Sequence, residues 1–245
     1  MSAKDAEMTE EQAKLLQALQ QTYGRGYRRQ VVKLLWRKYY QRLRPLIFDG
    51  SKRLFDLVGS ALLLVLLSPL FLFLMVMVRL DGGPAFYSQI RIGRHGKRFR
   101  FWKFRSMVVD ADKLKEQLMA QNESADGVIF KMTHDPRITP IGRILRRSSL
   151  DELPQLYNVF RGDMSLVGPR PPLPAEVAQY NAHERGRLDT NQGITCIWQV
   201  SGRSNIGFQD QVDLDLQYIQ NESIWYDIKL LLKTLPAVIT GRGAA

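Results

Sequence analysis

A chain of 245 residues, 45% of them apolar, can bury one sizeable core, so we expect one domain behind an N-terminal extension. The 35 Lys and Arg residues outnumber the 24 Asp and Glu residues, and the resulting formal charge of +11 indicates an anionic partner such as nucleic acid, lipid headgroups or a phosphorylated substrate. One cysteine and three scattered histidines exclude a disulfide framework and a Cys-rich zinc site. Cys196 lies in an apolar run, so we interpret it as an inert buried thiol.

Residues 1–50 are predicted to form a basic N-terminal extension. Within it, residues 25–44 mix aromatic and aliphatic side chains with lysines and arginines at roughly helical spacing. This pattern predicts an amphipathic helix in a membrane interface, with its bases toward anionic headgroups. A solvated helix packed against the protein's own core is the alternative.

The next segment, residues 51–81, is predicted to be a membrane helix that enters and leaves on the same side. The stretch Leu57–Val78 carries no charge and would be about 33 Å long as a straight helix, against a hydrocarbon core of about 30 Å. Ser68-Pro69 lies in its middle, where proline removes a helical hydrogen bond and favours a bend. Basic residues dominate both flanks, which favours a bent, re-entrant helix over a kinked spanning helix.

Residues 82–240 are predicted to be the catalytic domain, followed by a short tail at 241–245. Strand patterns at Ala85–Ile90 and Phe99–Met107, joined across residues 93–96, predict a hairpin. Its aromatic residues alternate with bases, which is typical of a half-buried strand near headgroups, or alternatively of a surface that stacks on nucleic-acid bases. Further along, we predict helices at 108–121, 140–147, 176–188, 213–220 and 223–235, with Ile141, Ile144 and Leu145 buried, and a buried strand at 193–200.

Two adjacent carboxylates, Asp151 and Glu152, lie between a cluster of arginines and the turn Gly168-Pro169-Arg170-Pro171. A capping box formed by Ser149 and Glu152 at a helix start would explain these acids without any catalysis. Their basic surroundings instead suit a phosphate site, where an ionised carboxylate can act as a nucleophile or as a metal ligand. From the residues alone, both interpretations stay open.

A series of short motifs runs in order through the chain. They are Lys52-Arg53-Leu54-Phe55-Asp56, the apolar run with Ser68-Pro69, Lys103-Phe104-Arg105-Ser106-Met107, Asp135-Pro136-Arg137-Ile138-Thr139, Ser149-Leu150-Asp151-Glu152-Leu153-Pro154-Gln155-Leu156, Asn158-Val159, Gly162-Asp163-Met164-Ser165-Leu166-Val167-Gly168-Pro169-Arg170-Pro171 and Trp198-Gln199-Val200-Ser201-Gly202-Arg203. Together they cover about 51–240 and resemble the bacterial sugar transferase family, the monotopic polyprenyl-phosphate phosphoglycosyl transferases, in a short form of the exopolysaccharide-initiating type.

This resemblance implies an α/β fold, mostly α with a small β element, with a re-entrant helix broken at Ser68 and Pro69 and a catalytic domain on the cytoplasmic face of the bacterial inner membrane. It implies transfer of a sugar-1-phosphate from a UDP-sugar to undecaprenyl phosphate with release of UMP. This reaction begins exopolysaccharide, capsule or O-antigen (lipopolysaccharide) synthesis. UDP-glucose or UDP-galactose is the expected donor, with UDP-acetamidosugars as the alternative.

The resemblance also implies roles for individual residues. Asp151 would be the nucleophile that forms an aspartyl phosphosugar, and Glu152 would help to hold Mg²⁺. The side chains expected to bind the phosphates of the substrates are Arg146, Arg170, Arg203 and Lys103, with Lys52 and Arg53 at the lipid phosphate. Asp163 is expected to anchor a turn, with a catalytic role as the alternative.

One departure from the family pattern precedes Gly193. Asn191 and Gln192 stand where the family usually has a basic residue and a proline, which implies either a looser turn or a lost phosphate contact. We expect membrane lipids but no nucleic acid as partners, and the oligomeric state stays open.

Two rival functions remain. In a membrane-tethered adaptor the carboxylate pair would serve only as a capping box, and Asp151→Asn would leave its function intact. An ordinary glycosyltransferase would release UDP and would need no aspartyl intermediate.

Overall fold

A computed structural model describes Lys14 and residues 48–118, 132, 135–202 and 206–240. The chain divides into two units, Met1–Ser51 and Lys52–Ala245, and nearly all described residues belong to the second. The amphipathic segment predicted at 25–44, the tail at 241–245 and Arg203 lie outside the described residues. The fold is mostly helical with little sheet, consistent with the expected α/β class.

The apolar run forms two helices, α1 (Phe48–Leu66) and α2 (Ser68–Arg79), which are bent by 63° at Leu67. Pro69 lies in the first turn of α2, where its missing N–H costs least. The carbonyl of Val65, which would otherwise accept from residue 69, accepts from the Ser68 hydroxyl at 2.8 Å. The predicted break at Ser68-Pro69 is therefore confirmed.

Among the described residues, no helix alone has the length and apolar character needed to cross a membrane. The bent pair of α1 and α2 meets both criteria when its two halves are taken together.

The predicted hairpin is confirmed, with strands β1 (Phe86–Ile92) and β2 (Arg98–Phe104) paired antiparallel. The turn that joins them contains His95, at φ 55°, followed by Gly96 at φ 80°. Phe99 and Phe101 lie on the face of β2 that packs into the main core, whereas Phe104, on the other face, packs against Leu74 and Val78 of α2.

Arg105 fastens the end of α2 to the end of β2. Its guanidinium donates to the carbonyl of Val78 at 3.0 Å and to that of Pro84 at 2.7 Å, and it forms an ion pair with Asp81. The last turn of α2 is thereby held against the hairpin.

After α3 (Ala111–Leu118), helix α4 spans Pro140–Arg147. Thr139 caps α4 by accepting from the N–H of Gly142, and Pro140 occupies its first position, as predicted. A Cβ at Gly142 would lie 1.9 Å from the Ser106 carbonyl oxygen, so only glycine lets α4 approach the chain after β2 so closely. Leu145 is buried, but the expectation for Ile144 is wrong because its side chain is 68% exposed on the outer side of α4.

The second half of the domain holds a small parallel pair, β3 (Ser165–Val167) and β4 (Gly193–Thr195). The strand predicted at 193–200 ends at Thr195 and continues as a helix, since a short apolar run does not distinguish strand from helix. The helix predicted at 176–188 is interrupted because Asn181 begins a new capping box with Glu184. The helices of this half are α5 (Gln155–Arg161), α6 (Pro174–Gln179), α7 (Ala182–Arg185), α8 (Ile197–Ser201), α9 (Phe208–Asn221) and α10 (Ile224–Thr240).

The main core lies between β2, α5, β3 and the C-terminal helices. Its central side chains are Phe101, Val159, Val167 and Tyr218, each no more than 2% exposed, and the inner side of α1 packs against the same cluster. Outward-facing apolar residues of α1 and α2, and Leu80 just after α2, are largely exposed; in the two helices they are Leu54, Val58, Leu62, Val65, Leu66, Leu72, Phe73 and Val76.

Candidate active site

The carboxylate pair lies in a tight turn between α4 and α5. Ser149 has φ 55° and ψ 18°, a left-handed conformation that is uncommon outside glycine, and it is followed by a 3₁₀ turn, Leu150–Glu152. The Ser149 side chain makes no capping bond, and α5 begins only after Pro154. The alternative interpretation of the pair as a capping box is therefore wrong, and the pair needs another explanation.

The ammonium of Lys103 bridges the two carboxylates. Its Nζ lies 2.8 Å from Oε1 of Glu152 and 3.4 Å from Oδ2 of Asp151. Arg170 donates to the same Oε1 of Glu152 at 3.0 Å. The Asp151 and Glu152 side chains are 8% and 16% exposed, so this charged cluster is largely withdrawn from water.

The two carboxylates differ in their electrostatic environment. Burial, the largest effect, raises the pKa of Asp151, although the charges of Lys103 and Arg146 oppose it. Burial also acts to raise the pKa of Glu152, but Lys103 and Arg170 together outweigh it and hold that pKa well below its usual range. Glu152 is thus a fixed anion in a cationic pocket, whereas Asp151 is held less firmly.

Asn158 positions the strand that carries Lys103. Its amide nitrogen donates to the Arg100 carbonyl at 2.6 Å, and its amide oxygen accepts from the Trp102 N–H at 3.1 Å. Because Asn158 belongs to α5, the helix that follows the carboxylates is tied directly to β2. The Asn158 amide nitrogen also lies 3.4 Å from Oδ2 of Asp163, just after the end of α5. Asp163 forms an ion pair with Arg161, the last residue of α5, and these contacts suit the predicted role of Asp163 as a turn anchor.

Close backbone contacts hold the segment that presents Arg170. The N–H of Gly193 donates to the Pro169 carbonyl at 2.8 Å, and a Cβ on Gly168 would lie 2.2 Å from the Asn191 carbonyl oxygen. The fully buried Gln192 donates to the carbonyls of Arg187 and Thr190, so its side chain holds this turn together.

The carboxylates suit a metal ion that is shared with substrate. No group of three or more His, Cys, Asp or Glu side chains among the described residues could hold a metal alone. However, a cation already bridges Asp151 and Glu152, namely the Lys103 ammonium. Mg²⁺ is commonly held by one or two carboxylates together with substrate phosphates, so the donor set fits that mode of binding.

The family model for bacterial sugar transferases matches residues 48–241. The chain belongs to the bacterial sugar transferase family. The match includes both helices of the bent pair and every element around the carboxylates.

Three relatives illustrate the likeness of this bacterial sugar transferase to known proteins. It is 50% identical over 195 residues to "Galactosyl transferase CpsE" of Streptococcus agalactiae, covering 79% of this chain and 43% of that protein. It is 45% identical over 196 residues to "Undecaprenyl-phosphate galactose phosphotransferase" of Salmonella typhimurium, covering 79% and 41%. It is 41% identical over 206 residues to "Exopolysaccharide production protein ExoY" of Rhizobium meliloti, covering 82% and 91%. The chain thus spans less than half the length of the first two relatives and most of the third.

In this sugar transferase the predicted site residues separate into two groups. Asp151, Glu152, Lys103 and Arg170 lie together, and Arg146 is near enough for its charge to lower the pKa of Asp151. Arg203 lies outside the described residues.

Lys52 and Arg53 lie elsewhere, in structural contacts. Lys52 is 3% exposed, with Nζ 2.6 Å from Asp227, and Arg53 donates to the carbonyls of Val159 and Phe160 at 2.6 Å. The lipid-phosphate role expected for these two side chains stays a prediction.

Sequence reasoning missed the polar network that holds the N-terminal half of α1 against the core. Asp56 accepts from the Ser165 hydroxyl and the Leu166 N–H, while the Tyr218 hydroxyl lies 2.7 Å from Asp227 and 3.1 Å from the Val167 carbonyl. The motifs that contain Asp56 and Ser165 were visible in the sequence, but their residue types do not reveal that these side chains are partners. Cys196, as expected, is buried, and burial raises the pKa of its thiol.

Proposed function

We propose that this protein is a polyprenyl-phosphate phosphoglycosyl transferase that passes a hexose-1-phosphate from a UDP-sugar to undecaprenyl phosphate, the initiating step of an exopolysaccharide, capsule or O-antigen. Family membership and the printed names of the relatives support this reaction class. The names of two relatives favour galactose as the hexose, with glucose as the next candidate.

The observation that carries the proposal is a difference in how firmly the two carboxylates are held by hydrogen bonds. Among the described residues, Glu152 accepts charged hydrogen bonds from Lys103 and Arg170, at 2.8 and 3.0 Å, whereas Asp151 accepts one weak bond of 3.4 Å from Lys103. A nucleophile needs an oxygen that can leave its partners and reach phosphorus. Asp151 meets this requirement, and Glu152 is the fixed member of the pair.

The proposed reaction has two phosphoryl transfers. In the first, an Asp151 oxygen attacks the phosphorus next to the sugar, an Asp151–phosphorus bond forms, and the bond from that phosphorus to the bridging oxygen breaks, so that UMP leaves with the electron pair. In the second, a phosphate oxygen of undecaprenyl phosphate attacks the same phosphorus and frees the Asp151 carboxylate. The product is an undecaprenyl diphosphate sugar.

The surrounding cations would bind and orient the diphosphate. Arg170 and Lys103 reach Glu152, and the charge of Arg146 acts on Asp151, so phosphate oxygens that enter the site would meet several positive charges. Glu152 would hold Mg²⁺, which neutralises charge on the diphosphate when bound. This arrangement suits phosphoryl transfer, where positioning and charge neutralisation carry most of the catalysis.

We propose that α1 and α2 form a re-entrant segment that places the site at the cytoplasmic face of the inner membrane. The 63° bend and the exposed apolar surface of both helices support this arrangement. It would bring a lipid-linked phosphate to the level of the carboxylates while the nucleotide sugar arrives from water.

The test is the identity of the released nucleotide. The full chain in nanodiscs is supplied with Mg²⁺, undecaprenyl phosphate and a panel of UDP-sugars. UMP release with one hexose donor, reduced by about 10⁴-fold or more in Asp151→Asn, is expected. Asp213→Asn is the matched control because Asp213 is 69% exposed and its side chain pairs with His183. Release of UDP would indicate ordinary glycosyl transfer, and the absence of any nucleotide product would favour the adaptor.

A further inference from the structure

Arg91 is a half-buried arginine beside the site that the proposed reaction does not use. The Arg91 side chain donates from Nη1 to the Pro171 carbonyl at 2.9 Å, immediately after Arg170. Its Cζ lies 5.3 Å from the centre of the Phe101 ring, and the Lys103 Nζ lies 5.5 Å from the same ring. Arg91 is therefore fixed next to Arg170, and it contacts the same Phe101 ring as Lys103.

The charge of Arg91 is incompletely compensated. Its Nε is buried without a hydrogen-bond partner, and no ion pair to its guanidinium is present among the described residues. Burial, followed by the charge of Arg170, lowers the pKa of Arg91 to about 10. A buried nitrogen without a hydrogen-bond partner is costly, so a structural role alone explains the side chain poorly.

The surroundings of Arg91 favour an anionic ligand. Three cationic side chains, Arg91, Lys103 and Arg170, lie around the Asp151 and Glu152 pair, and Glu176 is a further carboxylate whose charge acts on Arg91. Among the described residues the Arg91 Nε still has no hydrogen-bond partner, and a guanidinium with an unpartnered Nε suits phosphate oxygens.

The position of Arg91 indicates which phosphate it would meet. Among the described residues, Arg170 donates to Glu152 and not to Asp151, and Arg91 is fixed next to Arg170 through the Pro171 carbonyl. Arg91 therefore lies on the Glu152 side of the pair, away from the nucleophile. The phosphorus that Asp151 attacks must face Asp151, so the leaving phosphate lies on the opposite side.

We propose that Arg91 is a further substrate-binding residue whose guanidinium binds, together with Arg170, the phosphate monoester that leaves with the nucleoside. This assignment rests on the proposed function. The same chemistry would also suit the monoester of the lipid acceptor, and the test separates the two sources.

The test measures binding of UMP, of uridine and of undecaprenyl phosphate to the full chain in nanodiscs, together with the melting temperature. Arg91→Met is expected to weaken UMP binding by about tenfold to a hundredfold while affinity for uridine and for undecaprenyl phosphate stays unchanged. Arg98→Met is the matched control, since Arg98 is exposed on the same hairpin. Arg91→Lys keeps the charge but loses the planar guanidinium with its several N–H donors. It is expected to lose less UMP affinity than Arg91→Met and to keep the melting temperature unchanged.

Several results would overturn the assignment. Unchanged UMP affinity in both Arg91 variants, even with a lower melting temperature, would make Arg91 a structural residue only. A loss confined to undecaprenyl phosphate would assign Arg91 to the acceptor instead. If the unmodified chain binds UMP and releases it from a UDP-sugar, either of these results refutes the Arg91 assignment alone. If the unmodified chain neither binds UMP nor releases it, the proposed function is refuted as well.

Discussion

At the scale of single residues, the ion pair of Lys52 and Asp227 links the N-terminal half of α1 to α10. The two side chains are 3% and 0% exposed, and Lys52 also donates to the Val167 carbonyl at 3.2 Å. Val167 precedes the Gly168-Pro169-Arg170 segment, so the pair supports the strand from which Arg170 reaches Glu152. Breaking a buried pair leaves the remaining charge unpaired, which is more costly than replacing both partners.

We therefore expect Lys52→Met to destabilise the protein by about 3–5 kcal/mol, measured by thermal or chemical unfolding in detergent. The double variant Lys52→Met with Asp227→Leu should recover part of this loss because it leaves neither charge alone. Lys113→Met is the control, since Lys113 pairs with Asp110 at the surface and is 83% exposed. Equal stability of Lys52→Met and Lys113→Met would contradict the structural role of the pair.

At the scale of elements, the turn before α4 shows how a short motif positions a helix. Arg137 donates to both carboxylate oxygens of Asp135, and the Arg137 carbonyl accepts from the N–H of Val108. The same motif ends at Thr139, which caps α4. Through α4, this turn sets where the Ser149 turn and the carboxylates begin.

The Asp135 pair should make stability depend on pH. Hydrogen bonds from Arg137 are the largest effect on the pKa of Asp135 and lower it below the usual value. A lowered folded-state pKa stabilises the fold above the ordinary Asp range, near pH 4, and this contribution is lost as pH falls through the folded-state pKa. Asp135→Asn should therefore lower the melting temperature at pH 7, and its difference from the unmodified protein should shrink below about pH 4. Asp110→Asn is the exposed control, and a difference that does not change with pH would contradict this explanation.

The bend between α1 and α2 is a second feature at this scale. Pro69→Ala restores an N–H that can donate to the Val65 carbonyl, so a straighter and longer helix becomes accessible. A cysteine in place of Gly50, where a Cβ meets no neighbour, or in place of Leu80, which is 69% exposed, reports on which side of the membrane that end of the bent pair lies.

With Pro69 present, both cysteines should resist an impermeant maleimide applied from outside intact cells. With Pro69→Ala, one of the two should become reactive in a fraction of the molecules. Reactivity of one end from outside in the protein with Pro69 would contradict the re-entrant arrangement.

Sequence patterns predicted the elements whose causes are local. Ser68-Pro69 predicted the bend, Thr139-Pro140 predicted the start of α4, and the aromatic alternation predicted β2, because each depends on neighbouring residues. The capping box failed because Glu152 is bound by Lys103 and Arg170, which are distant in sequence. No local pattern predicts the left-handed Ser149 or the bonds from Asn158 to β2, since both depend on how the elements pack together.

At the scale of the whole molecule, an excess of basic residues and exposed apolar side chains accompany a largely buried carboxylate pair. The formal charge is +11, and Trp225, Leu232 and Leu235 of α10 are exposed, as are outward-facing apolar residues of α1 and α2. Such a combination suits a protein that works on anionic substrates next to anionic lipids. The fold brings residues from the hairpin, the α4–α5 turn and the segment after β3 to one place, where Asp151 is the least constrained acid.

The central claim is that Asp151 forms a covalent phosphosugar, and intact-protein mass spectrometry tests it most directly. The full chain is incubated with the UDP-hexose that supports turnover, without undecaprenyl phosphate, and then quenched. We predict a mass increase of one hexose phosphate, located on Asp151 by peptide mapping, absent from Asp151→Asn and lost when undecaprenyl phosphate is added. An adduct on another residue, or UMP release by Asp151→Asn at the rate of the unmodified protein, would contradict the account.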